Sequence, residues 1–166
     1  MIEFRPARPD DLDDICRLVS RAVQKMNELN IHQWDELYPT REDFSEDIEK
    51  NHLYIGFQKG KPAVIYTLNK EYDDDYLNGS WQHNVPFYVI HRLCVDPRFQ
   101  NKGIAKETML HIENELRKTG TCAVRLDVFS ENPIALKLYG SMGYTTAGFA
   151  QWRMGMFYLM EKLIEK

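Results

Sequence analysis

The chain has 166 residues and a formal charge of −4, long enough for one domain of ordinary size with a real core. That charge, with no Lys/Arg cluster, gives no basic field for nucleic acid, and nothing approaches the ~18 apolar residues of a membrane span. The opening MIEFRPARPDD lacks the apolar stretch of a signal peptide, and Cys16, Cys94 and Cys122 show no metal spacing and leave an odd one out, so reduced thiols in a cytoplasmic protein are expected.

In chain order, residues 2–5 predict a short first strand. Leu12, Ile15, Val19, Ala22 and Met26 recur in steps of three and four, which predicts a helix over residues 9–29. Pro9 at its start, with Asp10 and Asp11 in the first turn, suits the helix dipole. Residues 31–39 (IHQWDELYP) carry Trp34 and Tyr38 and show no clear period. Thr40 is a fitting cap for a second helix reaching Lys50. Residues 53–57 and 63–68 read as a hairpin around Lys59, Gly60 and Lys61. An irregular stretch over 71–86 follows, with an acidic run at Asp73, Asp74 and Asp75 that reads first as solvated loop and second as an attractor for a cationic amine.

Residues 87–95 (FYVIHRLCV) are rich in β-branched and aromatic types and predict a buried strand. Beyond them Ala105, Thr108, Met109, Ile112 and Leu116 recur at helical spacing, with Gly120 as a stop. The run Gln100, Asn101, Lys102, Gly103, Ile104, Ala105 lies between. Backbone N–H groups at the start of a helix lack internal partners and the dipole favours negative charge there, so this loop reads as a phosphate cradle, with a plain turn before a helix as the alternative. Gly103 allows close backbone approach and an unusual φ, while Lys102 and Lys106 add positive charge. Residues 122–129 (CAVRLDVF) predict another strand. Then Asn132 as N-cap, Pro133 at the first helical position and Gly143 at the C′ position frame a further helix. A Gly-Tyr strand and a closing strand over 154–162 complete the chain.

The loop Q-x-x-G-x-A followed by N-P-x-A-x-x-L-Y-x-x-x-G-Y, in this order, resembles the GCN5-related N-acetyltransferase (GNAT) family over residues 89–148. The resemblance implies an α/β fold: a mixed, mostly antiparallel central sheet of about six to seven strands flanked by about four helices, as one domain over residues 1–166. It implies acetyl-CoA as co-substrate, with no metal. The pyrophosphate falls to Gln100, Asn101, Lys102, Gly103, Ile104 and Ala105, with Lys106 adjoining. The pantetheine arm falls to the main chain of Leu93, Cys94 and Val95, and Asn132 and Tyr139 touch the cofactor. Two positions depart from the family pattern: Asn101 stands where Gly is frequent, and Ala105 where Gly is commonest. Asn tolerates the left-handed region and Ala is small, so neither change argues strongly against binding.

A thioester can be attacked directly by an amine, so the protein must orient the reactants, polarise the carbonyl and manage protons. By analogy with the family, a backbone N–H near Val95 polarises the carbonyl. Tyr139 is the expected acid, since a phenol of pKa about 10 can protonate a thiolate whose conjugate acid lies near about 8.5; the competing role is a ring packed in the core. His91, with an ordinary pKa of about 6.5, is the candidate base and by period two would share a face with Leu93 and Val95; the competing role is structural. Asn132 has a pure capping role as its alternative. Trp34 and Tyr38 either wall an acceptor pocket or cover the core. The expected reaction is acetyl transfer to a primary amine of a small molecule or peptide, and the alternative is a non-catalytic acyl-CoA-binding or sensor protein. Neither nucleic acid nor membrane is an expected partner, and a homodimer is compatible with the apolar run at 154–163. No G-x-x-x-x-G-K-[ST], H-E-x-x-H, G-x-S-x-G or G-x-G-x-x-G sequence offers a rival chemistry.

Overall fold

The structure, a computed structural model, describes residues 1–164. In chain order these form β1 (Glu3–Pro6), α1 (Leu12–Glu28), α2 (Arg41–Glu49), β2 (Leu53–Gln58), β3 (Lys61–Asn69), β4 (Phe87–Val95), α3 (Ile104–Lys118), β5 (Ala123–Phe129), α4 (Pro133–Ser141), β6 (Thr145–Trp152) and β7 (Gly155–Leu163). The strands make one seven-stranded sheet of order β1-β2-β3-β4-β5-β7-β6. It is mostly antiparallel, and the β4–β5 pair is parallel. This is the α/β sheet the motifs imply; residues 165–166 of the expected domain lie outside the described residues. The chain divides into two compact units, Met1–Leu68 with Arg92–Met109, and Asn69–His91 with the chain from Leu110 onward.

In the first unit α1 buries Ile15, Val19 and Ala22 of the predicted stripe, adds Leu18 to it, and leaves Leu12 and Met26 partly buried at its ends. It begins three residues later than Pro9, because Pro9–Asp11 form a 3-10 turn. The Asp11 carboxylate accepts from the Arg8 N–H at 2.7 Å and takes both Arg5 terminal nitrogens at 2.7 and 2.9 Å. Thr40 caps α2 as expected: its hydroxyl accepts from Asp43 N at 3.2 Å and Asp43 returns a carboxylate to Thr40 N at 2.7 Å, an arrangement contributing about 0.5–2 kcal/mol. Lys59 and Gly60, both at positive φ, close the β2–β3 hairpin in the manner of a two-residue primed turn. Two apolar clusters result. Ile15, Leu18, Trp34, Phe44, Leu53, Ile55, Ile65 and Cys94 belong to one, and Ile2, Ala63, Val64 and Ile104 to the other, where Leu93, Val95 and Phe99 also pack.

In the second unit the parallel register runs from Phe87↔Ala123 to Ile90↔Leu126. β7 pairs with both β5 and β6, so the apolar run at 154–163 is explained as an interior strand. Val89, Leu159, Tyr76 and Ala150 form its buried cluster, joined by Trp81, Phe87 and Trp152. The 71–86 stretch is not wholly irregular. It holds a 3-10 turn at Asp74–Asn78, pinned where the Tyr76 hydroxyl donates to Asp127 and the Trp152 indole to Asp75, each at 2.6 Å. Arg125, in the middle of β5, lies 4.2 Å from the Trp81 ring centre and 3.9 Å from that of Phe87. The fully buried Glu113 of α3 accepts from Tyr144 at 2.9 Å and Lys162 at 2.7 Å.

Candidate active site

The loop after β4 is built from its anchor outward. Asp96 is buried, its N–H donates to the Ala63 carbonyl at 2.8 Å, and its carboxylate takes Arg21 at 2.6 Å and Arg98 at 3.0 Å. Burial pushes this carboxyl upward, but hydrogen bonds from Arg21 and Arg98 outweigh it and leave it below the ordinary range. Asp96 also caps the 3-10 turn Pro97–Phe99 by accepting from Arg98 N at 2.9 Å. With the strand end so fixed, Asn101 at φ 64° and Gly103 at φ 72° turn the chain into α3. Asparagine in place of glycine therefore costs little, since it is among the residues that enter this region most readily. A Cβ on Gly103 would meet nothing within 4 Å, so the loop is open at that point. The Gly103 carbonyl accepts from Glu107 N at 3.0 Å, which leaves the amides of Ile104, Ala105 and Lys106 in the first turn, where helix geometry offers them no intrahelical partner. Lys102 and Lys106 are exposed beside them, and Arg98 and Lys102 flank the Phe99 ring at 6.0 and 5.7 Å from its centre.

Upstream of the loop, Arg92 adopts φ 52° within β4, a conformation costing a non-glycine residue about 1–3 kcal/mol. Its Nε and Nη2 both donate to Asp47 Oδ2, at 3.0 and 2.6 Å, and the Thr67 hydroxyl donates to the same oxygen at 2.9 Å. Nη1 donates to the Tyr38 hydroxyl at 2.7 Å. Burial lowers this guanidinium's pKa, but Tyr38 and Asp47 more than offset that and raise it overall. Leu93 and Val95 pack in the Ile104 cluster, whereas Cys94 packs in the α1 cluster, its thiol pushed up to about 12 by burial and then by the Asp96 charge.

This kink corrects one expectation. Alternation by two assumes extended backbone throughout, and the positive φ of Arg92 interrupts it, so period two does not place His91 on the face of Leu93 and Val95. His91 Nε2 instead lies 2.9 Å from Asn69 Oδ1 and 3.0 Å from the Glu71 carbonyl. Both are acceptors, so Nε2 carries the hydrogen and Nδ1 holds the lone pair when the ring is neutral. Trp34 is a buried core residue of the first unit, while Tyr38 is exposed.

In the second unit Asn132 caps α4, its Oδ1 accepting from Ala135 N at 3.0 Å. Gly143 follows at φ 93°, as a C′ residue should. Tyr139 is buried and meets Tyr144 edge-on at 5.8 Å between ring centres. Burial, and then the Asp127 carboxylate, raise its phenol above the ordinary value, so it holds its proton firmly. The acidic run divides: Asp73 caps its own turn and Asp75 holds Trp152.

Sequence reasoning missed Asp47, Thr67 and Arg92. A signal was present, because an arginine inside an otherwise apolar strand must find a buried partner.

The profile of the acetyltransferase (GNAT) family matches residues 20–144. The chain belongs to that family. It is 27% identical over 148 residues to the uncharacterized N-acetyltransferase YesJ of Bacillus subtilis (strain 168), covering 86% of this chain and 81% of that one. A GNAT-family acetyltransferase from Streptococcus agalactiae 2603 superposes with TM-score 0.90 at 22% identity, covering 99% of this chain and 96% of that one. The PaiA N-acetyltransferase of Thermoplasma acidophilum, solved in complex with coenzyme A, superposes with TM-score 0.72 at 17% identity over 98% and 99% of the two chains. This GNAT protein is therefore an acyltransferase.

Proposed function

We propose that this acyltransferase moves an acetyl group from acetyl-CoA to a primary amine of a small molecule or peptide, by direct attack in a ternary complex. The observation that carries the reading is the loop: positive φ at Asn101 and Gly103, open space at Gly103, and exposed Lys102 and Lys106 at the start of α3. Such a loop fits a diphosphate because several amides and a helix dipole point at one place. Gln100 to Ala105, with Lys106, hold the phosphates, and the main chain of Leu93, Cys94 and Val95 pairs with the pantetheine arm like an added strand. Acetyl-CoA brings an activated thioester, so the protein needs no nucleophile of its own. The Val95 N–H polarises the carbonyl.

Proton handling falls to two residues. Tyr139 donates to the departing thiolate, and His91, whose Nε2 is turned to Asn69 and Glu71, accepts the proton of the amine. Asn132 touches the cofactor while capping α4. Tyr38 serves the acceptor side; Trp34 supports it from the core. We place the protein in the cytoplasm, in keeping with free thiols at Cys16, Cys94 and Cys122. Titration calorimetry with CoA, and thiol release from acetyl-CoA across a panel of amines and peptides, test the reading. No CoA binding removes it.

One observation favours a second reading, a non-catalytic acyl-CoA sensor. A buried phenol with a raised pKa is a reluctant acid. A sensor binds CoA yet releases no thiol with any amine, and is indifferent to Tyr139→Phe.

A further inference from the structure

We infer that Arg92 is a positioning residue: its clamped side chain keeps its own backbone left-handed and so sets the aim of the Leu93–Val95 main chain. The inference rests on the reading that this segment carries the pantetheine arm. Arginine has no intrinsic liking for φ 52°, which glycine and asparagine adopt more readily. Something else must hold it there. The clamp is specific, because three guanidinium nitrogens are engaged at 2.6 to 3.0 Å, two by Asp47 and one by Tyr38. Arg92 and Asp47 side chains are only 15% and 9% exposed, so neither charge can turn to water instead. Thr67 holds the Asp47 oxygen from β3, so Arg92 joins helix α2 to the 31–39 segment directly and reaches strand β3 through Asp47.

The backbone consequence is geometric. A strand shifted by one step presents its side chains to the opposite face. Extended backbone at Arg92 would exchange the face of Leu93 and Val95 for that of Cys94, and re-aim every N–H and C=O between them. The packing of Leu93 and Val95 with Ile104 shows which alternative the clamp selects. Arg92 then touches no reactant and acts through its neighbours.

Arg92→Gly and Arg92→Ala both delete the clamp, but only glycine adopts positive φ without steric cost. In an ordinary strand glycine is the weaker of the two, so the order of the variants decides. The left-handed penalty on alanine corresponds to roughly five- to thirtyfold in population. The expected result is CoA affinity within about threefold of wild type for Arg92→Gly and weaker by about that penalty for Arg92→Ala, with the glycine variant also melting at or above the alanine variant. Asp47→Asn, nearly isosteric, should weaken CoA binding about tenfold by loosening the clamp; if neither Arg92 variant folds, this substitution decides alone. Equal CoA affinity in the glycine and alanine variants, or wild-type affinity in Asp47→Asn, overturns the positioning role while leaving the acetyltransferase reading intact. Wild-type protein that binds no CoA overturns both, and the melting order of the two Arg92 variants then reports on the backbone clamp by itself.

Discussion

The loop at Gln100 to Ala105 and the helix α4 carry the two family motifs, yet their residues are occupied differently. The loop is firmly held at its base by Asp96 and open at its tip, where Gly103 faces empty space. In α4 the motif side chains already have internal duties: Asn132 caps the helix and Tyr139 is buried against Tyr144. The lesson is a division of labour. The proposed ligand would gain new bonds from the loop, whereas α4 could act on it only through groups the fold also uses. Beyond the backbone cost of a side chain at positive φ, substitutions in the loop should therefore act on affinity, whereas substitutions in α4 should cost stability along with any effect on binding or turnover.

The strongest way to break this contrast is Gly103→Glu. A carboxylate at the open tip should weaken CoA binding about 100-fold or more, about 2.7 kcal/mol, by calorimetry. Gly103→Ala is a milder probe: no neighbour obstructs its Cβ, so only the left-handed penalty of about 1–2 kcal/mol should appear, as a lower melting temperature. Unchanged affinity in the glutamate variant would strip the loop of its role. Next comes Tyr139→Phe, which should lower kcat about 100-fold with CoA affinity nearly unchanged. A normal kcat would leave Tyr139 as packing alone.

A pair of caps sharpens the comparison further. Thr40→Ala and Asn132→Ala should each cost about 1 kcal/mol in urea denaturation, but only the Asn132 substitution should also weaken CoA binding. The smallest expected effect concerns acid. Asp96 has a folded pKa below its ordinary value, so its contribution is full above the unfolded value of about 3.9 and fades as pH falls through the folded one. Denaturation at pH 7 and pH 3 should show Asp96→Asn less stable than wild type at neutral pH, with the gap narrowing in acid. A gap of constant size would mean the Arg21 and Arg98 contacts do not set that pKa.

Much of this molecule could be read from local rules. The stripe of α1, the Thr40 and Asn132 caps, the positive φ at Gly103 and Gly143, and all seven strands follow from periodicity and turn chemistry. What escaped was non-local. Nothing in FYVIHRLCV says that Arg92 leaves the extended region, because its reason lies 45 residues upstream at Asp47. Period two fails to place His91 for the same cause. Trp34 sits in an aperiodic segment, where neither spacing rule distinguishes a core ring from a pocket wall, and only packing reveals that it is buried. The turn at Asp74–Asn78 depends likewise on Asp127 and Trp152, distant in sequence.

Cys94 has a practical bearing on how this enzyme is assayed. A thiol whose proton is held up to about 12 stays uncharged at any workable pH, and only the thiolate attacks disulfide reagents. In a colorimetric test for liberated CoA, Cys94 should therefore give no background signal. The slow blank reaction of the protein itself should come from Cys16 and Cys122, so removing those two by serine substitution should yield a silent reporter with β4 untouched.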